Sequence, residues 1–480
     1  MRILTLLFLF FSTSIFASFQ MNERMQQSYA YIINLEFYPA QQLLEIEKIE
    51  NSDNRIVVLQ HNYIDFLMII IGEEEAFFTT AKDKKSNRID LIQEGDESSP
   101  YYLYAQAEVH LQWAFARLKF EEYLTAAYEI QKAYSLLEEN LELFPNFKLN
   151  KKGLGLLHTL VGAIPEKYQW VISLVGMEGT VSQGLTELKS LLEDEEIKMY
   201  HQEILFLTAF LQLNMTNDEV AYQLLLDKIG EGYTANYLLN FATARLAHSL
   251  GKNELCIKVL ESRPTIQVKY PFHYLDYLLG MSYLYKLEYE KSKAYFTLFL
   301  ANFKGNNYIK SAFHKLAWIG LLQGEDNNYF EKVKLEGSAS IDEDKVAMKD
   351  ANKGYFPNPI LLKSRLLYDG GYYKAALTEI NKTNAVVNAE YYYRLARIKS
   401  KLDYDNIEVI ASYQDAYNLG QKSTAYYTPM SALQIGLIYE KQNDYKQAKI
   451  YFEKCLSLSD FDYERGIHQK AKSGLNRVAN

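Results

Sequence analysis

The chain has 480 residues, 48% of them hydrophobic, and a formal net charge of −9, which argues against a nucleic-acid partner because phosphate binding relies on clustered Lys and Arg. Only 9 prolines and 23 glycines argue against an all-β or disordered chain and for continuous helix, and the apolar share is ample for a core. The 40 tyrosines suit interfaces between helices where the ring is buried and its hydroxyl stays wet.

Residues 1–17 carry one positive charge at Arg2, an apolar run over 3–11 and small residues at Ala17 and Ser18. This reads as a cleavable secretory signal, so the mature chain is expected to be exported, either periplasmic or secreted. No cysteine follows the apolar run to carry a lipid. The later apolar runs at 56–71 and 154–176 are interrupted by His61, Asp65, Glu166 and Lys167, and no further membrane span is expected. Residues 18–230 read as a helical region with degenerate repeats. Pairs of helices are predicted over 26–81 and 101–140, with residues 99–102 opening the second pair. Residues 231–480 read as clearer repeats, with an insertion at 337–359 whose glycines, charges and prolines break the apolar period. That insertion is a loop or a short helix; simple tolerance is favoured over a role covering a binding surface, because surface loops lengthen at small entropic cost.

The clearest repeat lies at 429–456. Gly436 lets two helices approach, Tyr439 fills the gap above it, and Ala448, Phe452 and Cys455 share a face of the second helix. This pattern resembles a tetratricopeptide repeat, a helix-turn-helix unit of about 34 residues that stacks on copies of itself. Equivalent small positions upstream are Ala396, Ser364, Ala317, Gly280 and Ala244, with separations of 36, 37, 47, 32 and 40 residues from N to C. Ser292 and Phe296, Ala376 and Ile380, and Cys256 and Leu260 keep the second-helix offsets. The unit around Ala396 reaches Tyr413 and Ala416 only with one extra loop residue, and the unit around Ala317 is the weakest. The fold expected is therefore all-α, a TPR-like α-α superhelix. Cys256 and Cys455 are expected to be buried free thiols.

The stretch 153–188 is more distinctive. Ile164 and Pro165, then Leu174, Val175 and Gly176, then Gly179, Gly184 and Leu185 resemble the family of tetratricopeptide repeat protein 39 and the fungal inclusion body clearance protein. The resemblance covers about 30–475 with the C-terminal repeats. It implies an all-helical fold and an adaptor-like role, with no active-site residues to carry over. That family acts inside eukaryotic cells, whereas this chain begins with an export signal.

The eight histidines are dispersed, with no pair four apart around a glutamate, and nucleophile-elbow, phosphate-loop and paired-cysteine motifs are absent. No catalytic residue, cofactor or metal ligand is therefore expected, and the acidic run 193–196 reads as a solvated helix end. Binding has more support. The residue after each small position is expected to point into a concave groove, giving Arg245, Met281, Arg365 and Arg397. Four residues earlier stand Phe241, Tyr277, Leu361 and Tyr393. Guanidiniums beside apolar and aromatic groups suit an extended acidic peptide. Two readings of the arginines stand: they contact a partner's carboxylates, or they pair with Asp and Glu of adjacent repeats. The leading function is a non-enzymatic scaffold binding a protein or peptide, and the alternative is a glycan or small ligand stacked on Tyr277 and Tyr393. A third reading places an enzyme site in the N-terminal half, marked by a pocket with buried carboxylates.

Overall fold

The computed structural model describes residues 18–164, 176–216, 218–264, 268–325, 328–382 and 387–478. The expected signal segment, and Pro165, Leu174 and Val175 of the distinctive stretch, lie outside them. The described residues are helical throughout with no β-strand among them, and successive helices pack as antiparallel pairs, the organisation of an α-α solenoid.

Many of these helices begin on a side chain that accepts a backbone N–H left over at the helix start. Asn22, Asp218, Asn388 and Asp444 do this for their helices, and Asn358 does it just before Pro359. The turns are more uniform still. Seven residues after the small position of each pair, the backbone enters the left-handed region: Gly251, Leu287, Gly324, Gly371, Asp403 and Asn443 follow Ala244, Gly280, Ala317, Ser364, Ala396 and Gly436. The next N–H then bonds back to the carbonyl five residues earlier, as Glu288 to Tyr283 at 2.9 Å and Asp444 to Tyr439 at 2.9 Å. This closes the first helix and reverses the chain. The same signature recurs at Leu35, seven after Ser28, and at Glu121, seven after Ala114.

Twelve residues after the small position comes its partner on the second helix. Ser292 Oγ donates to the Gly280 carbonyl at 2.8 Å, and Ser364 Oγ to that of Ala376 at 3.1 Å. Ser28 Oγ bonds the Ala40 carbonyl at 3.4 Å in the same way. These contacts are possible only where both helices carry a small residue. At Gly436 a Cβ atom would stand 2.6 Å from the ring of Phe452, which is itself fully buried.

The chain forms two compact units. The first comprises Met1–Ser249, Lys258–Leu275 and Asn302–Asn306, and the second Leu250–Ile257, Asp276–Ala301 and Asn307–Asn480. This division follows contacts, whereas residue 230 marks where the repeat phase becomes readable in sequence. In the first unit, helices Tyr101–Lys119 and Tyr123–Leu143 pair, as do Asn150–Gly162 and Val181–Leu191. The latter two are drawn together by glycine: a Cβ on Gly184 would lie 2.2 Å from the Gly155 carbonyl oxygen. At the centre of this unit Lys152 is buried, its ammonium bonded to Tyr63 Oη at 2.7 Å, Glu108 at 3.0 Å and Glu203 at 3.0 Å.

In the second unit, helices Ala389–Lys401, Asn406–Leu419, Tyr427–Lys441, Tyr445–Leu456 and Glu464–Val478 pack in succession. The insertion is structured and contains helix Asp342–Lys353. Ala347 and Ala351 pack with Val333 against Phe313 and Phe330. Fully buried Asp344 accepts the Tyr308 N–H at 2.7 Å and the Ser311 N–H at 2.8 Å, capping helix Ile309–Gln323. At its far end Lys349 pairs with Asp462, ahead of the last helix.

Candidate ligand-binding face of the second unit

Helices Ile309–Gln323, Pro359–Asp369 and Ala389–Lys401 are the first members of consecutive pairs. The residue after the small position is Trp318 on the first, Arg365 on the second and Arg397 on the third. The structure brings these three together. The Arg365 guanidinium lies 5.4 Å from the centroid of the Trp318 ring, and that of Arg397 lies 4.0 Å from Tyr368 and 5.7 Å from Tyr393. Flat guanidiniums resting on rings keep their charge while burying their stems.

Asp369 lies between the two arginines. Its Oδ2 is 3.5 Å from Arg365 Nε and its Oδ1 3.5 Å from Arg397 Nη2. The side chains remain 39% and 27% exposed, so one loosely placed carboxylate faces two accessible guanidiniums. Arg394 differs: it is buried, donating from Nε to Glu390 Oε1 at 2.8 Å, and serves packing. Lys315 stands on the same face with its ammonium 3.8 Å above the Trp318 ring. Burial first, and the Arg365 charge second, pull this amine down to about 7. Nearby, an open cleft of about 640 Å³ lies between Lys345, Val346 and Lys349 of the insertion helix and Tyr463, Glu464 and Arg465 of the last helix.

The other expected residues are placed differently. Tyr277 and Tyr393 are only 4% and 5% exposed, and Leu361 is fully buried. Tyr277 packs on Phe296 and Phe299, with Oη 2.8 Å from Ser311 Oγ. A position four residues before the groove-facing one is thus one helical turn deeper, inside the pair. Met281 is half-buried on helix Tyr274–Tyr285. Phe241 and Arg245 belong to the first unit, where Phe241 packs near Phe206 and Phe272. Sequence reasoning missed Lys315, Trp318, Tyr368 and Asp369. Trp318 was within reach, because it follows Ala317 as Arg365 follows Ser364. The buried carboxylates of the first unit have cationic or histidine partners: Glu108 and half-buried Glu203 meet Lys152, Glu129 meets Lys85 and His110, Asp65 meets Arg88, Glu47 meets Arg24 and Glu73 meets Lys119.

Cys256 and Cys455 are buried and form no disulfide, and burial pushes the Cys455 thiol up to about 12. Among the described residues, no cluster of His, Cys, Asp and Glu has the arrangement of a metal site, and no helix is long and apolar enough to cross a membrane.

The model of the tetratricopeptide repeat family matches residues 431–462, the pair built around Gly436 and Ala448. No curated protein matches the sequence. Among solved structures, the chain is similar to yeast Tom70 at 12% identity over 95% of this chain and 96% of that one, with a TM-score of 0.23. It is similar to the TPR domain of P58(IPK) at 14% identity over 87% of this chain and 98% of that one, with a TM-score of 0.20. The family match places one tetratricopeptide repeat at 431–462, and the turn and small-residue signatures extend the same helix-pair construction through the rest of the second unit.

Proposed function

We propose that this chain is an exported, non-enzymatic scaffold whose second unit holds an acidic segment of a partner protein. One observation carries the reading: Arg365 and Arg397 rest on aromatic rings, stay accessible, and share a single carboxylate at 3.5 Å from each. In a chain of net charge −9, a local excess of guanidinium on a groove-facing row favours a ligand that brings carboxylates. Each guanidinium can bond a carboxylate through two parallel N–H groups. The half-buried Tyr368 ring beneath Arg397 supplies apolar contact beside the charges, while buried Trp318 supports Arg365 from within. The likeness of 153–188 to the tetratricopeptide repeat protein 39 family adds an all-helical, adaptor-like background to this reading.

The glycan alternative rested on Tyr277 and Tyr393, and rings this deeply buried offer no platform for a sugar. The test uses a display library of acidic and neutral peptides against the full mature chain, followed by titration of selected binders. Acidic peptides should be enriched, and Arg365→Ala and Arg397→Ala should each weaken them by about tenfold to a hundredfold, in line with charge-assisted bonds of ~1.5–3 kcal/mol each. Unchanged affinity in the double variant refutes the assignment.

A further inference from the structure

Lys315 and Arg365 approach one indole, and no carboxylate among the described residues lies within ion-pairing distance, 4.0 Å, of the Lys315 ammonium. The charged groups facing it are Arg365 from helix Pro359–Asp369 and, farther off, Asp350, Glu343 and Asp344 from helix Asp342–Lys353. Trp318 Nε1 is buried and bonded to nothing among the described residues, and the same holds for both ring nitrogens of His314. His314 Nε2 comes within 3.4 Å of Asp350 Oδ2 without hydrogen-bond geometry, and burial holds that imidazole neutral. Lys315 and Arg365 thus share one indole, and while Arg365 has Asp369 at 3.5 Å, the Lys315 amine has no carboxylate among the described residues within ion-pairing distance. A buried donor left unbonded is costly, and an acceptor formed in place would relieve it.

We propose that Lys315 is a carbon dioxide-binding site at which a carbamate forms. The Nζ lone pair adds to the carbon of CO₂, one C–O π pair moves onto oxygen, and the nitrogen releases a proton to solvent. The amine and CO₂ become a carbamate of charge −1 and a proton. No oxidant or further reactant is needed. Only the neutral amine reacts, and desolvation next to another cation is the arrangement that frees a lysine lone pair near neutral pH. With its amine pulled down to about 7, about half of Lys315 is unprotonated at neutral pH, whereas ordinary lysines there are almost wholly protonated. The product carries its charge beside Arg365, converting a repulsive contact into an attractive one. The inference stands whether or not the face also holds an acidic partner.

The mature chain is equilibrated with ¹³C-bicarbonate at about pH 7.5 and observed by ¹³C NMR, then alkylated with a trialkyloxonium reagent and digested for mass spectrometry. The expected result is a protein carbamate resonance, with the trapped mass on the peptide containing Lys315. The resonance should vanish in Lys315→Arg and fall at least threefold in Arg365→Gln, both checked for native circular dichroism. Trapping in the unaltered protein locates the adduct without relying on any variant. A trapped mass confined to the N-terminal amine or to other lysines, or a resonance that persists in Lys315→Arg, overturns the proposal.

Discussion

Replacing Gly436 by alanine tests whether close packing outweighs helix propensity in the C-terminal repeat. Propensity alone favours alanine by about 1 kcal/mol in a helix interior. Against this, the added methyl would stand 2.6 and 2.7 Å from two atoms of the Phe452 ring. The ring is also hemmed in by the last helix, because a Cβ on Gly474 would lie 2.5 Å from its Cζ atom. Forcing a methyl into a full core costs about 1–3 kcal/mol, so the net expectation is a loss of about 1 kcal/mol. In a Phe452→Leu background the edge is removed and the same change should become neutral or stabilising. Urea denaturation followed by circular dichroism, with hydrogen exchange read over 427–478, measures both. Gly466→Ala is the control, since nothing lies within 4 Å of its Cβ position, and it should gain up to about 0.5 kcal/mol. If Gly436→Ala stabilises the protein as much as Gly466→Ala, the wedging of Phe452 between two glycines is refuted.

Lys152→Met should destabilise the first unit by about 3–5 kcal/mol, because Glu108 and Glu203 would be left without their buried counter-charge; denaturant titration measures the loss, and a change under about 1 kcal/mol would contradict it. Asp344 sits at about 6, raised chiefly by burial despite its two backbone N–H bonds. A raised carboxyl penalises the native state above that pH, and the penalty disappears as pH falls from about 6 towards 4. Asp344→Asn should remove this contribution to the slope of stability against pH in that window, and a difference curve that stays flat would contradict it. Glu121 holds a left-handed backbone at φ 61° and is exposed. Glu121→Gly should therefore be neutral to about 1 kcal/mol stabilising in thermal melts, whereas Glu122→Gly at the neighbouring position should not stabilise.

The repeat architecture was legible because its rules are local. A small residue, a partner twelve positions on and a buried residue four later can be read along one stretch of chain, and Gly436, Ala448 and Phe452 display all three. Two earlier pairs obey the same offsets, Ser28 with Ala40 and Leu44, and Ala114 with Ala126, yet their phase was hidden. Helix Tyr101–Lys119 is buried on most of its circumference, so no single apolar stripe marks its facing side. The arginines of the candidate face, and Trp318 with them, were legible by register, whereas Lys315, Tyr368 and Asp369 stand off that register and were not. Asp344 reaches back 36 and 33 residues to its two amides, a contact that no helical periodicity encodes. The aromatic residues one turn before the groove-facing positions pack against their own second helix, Tyr277 on Phe296 and Tyr393 on Tyr413, a depth that register alone does not encode.

The insertion's carboxylate at Asp344 also bears on how this molecule can be cut and labelled. Excising 337–358 to make a tidier array would strip the amides of Tyr308 and Ser311 of their acceptor and remove the lysine that grips Asp462. Protein engineers wanting a site for an affinity tag or a reporter fusion would do better at the exposed turn 421–424, whose side chains are turned to water.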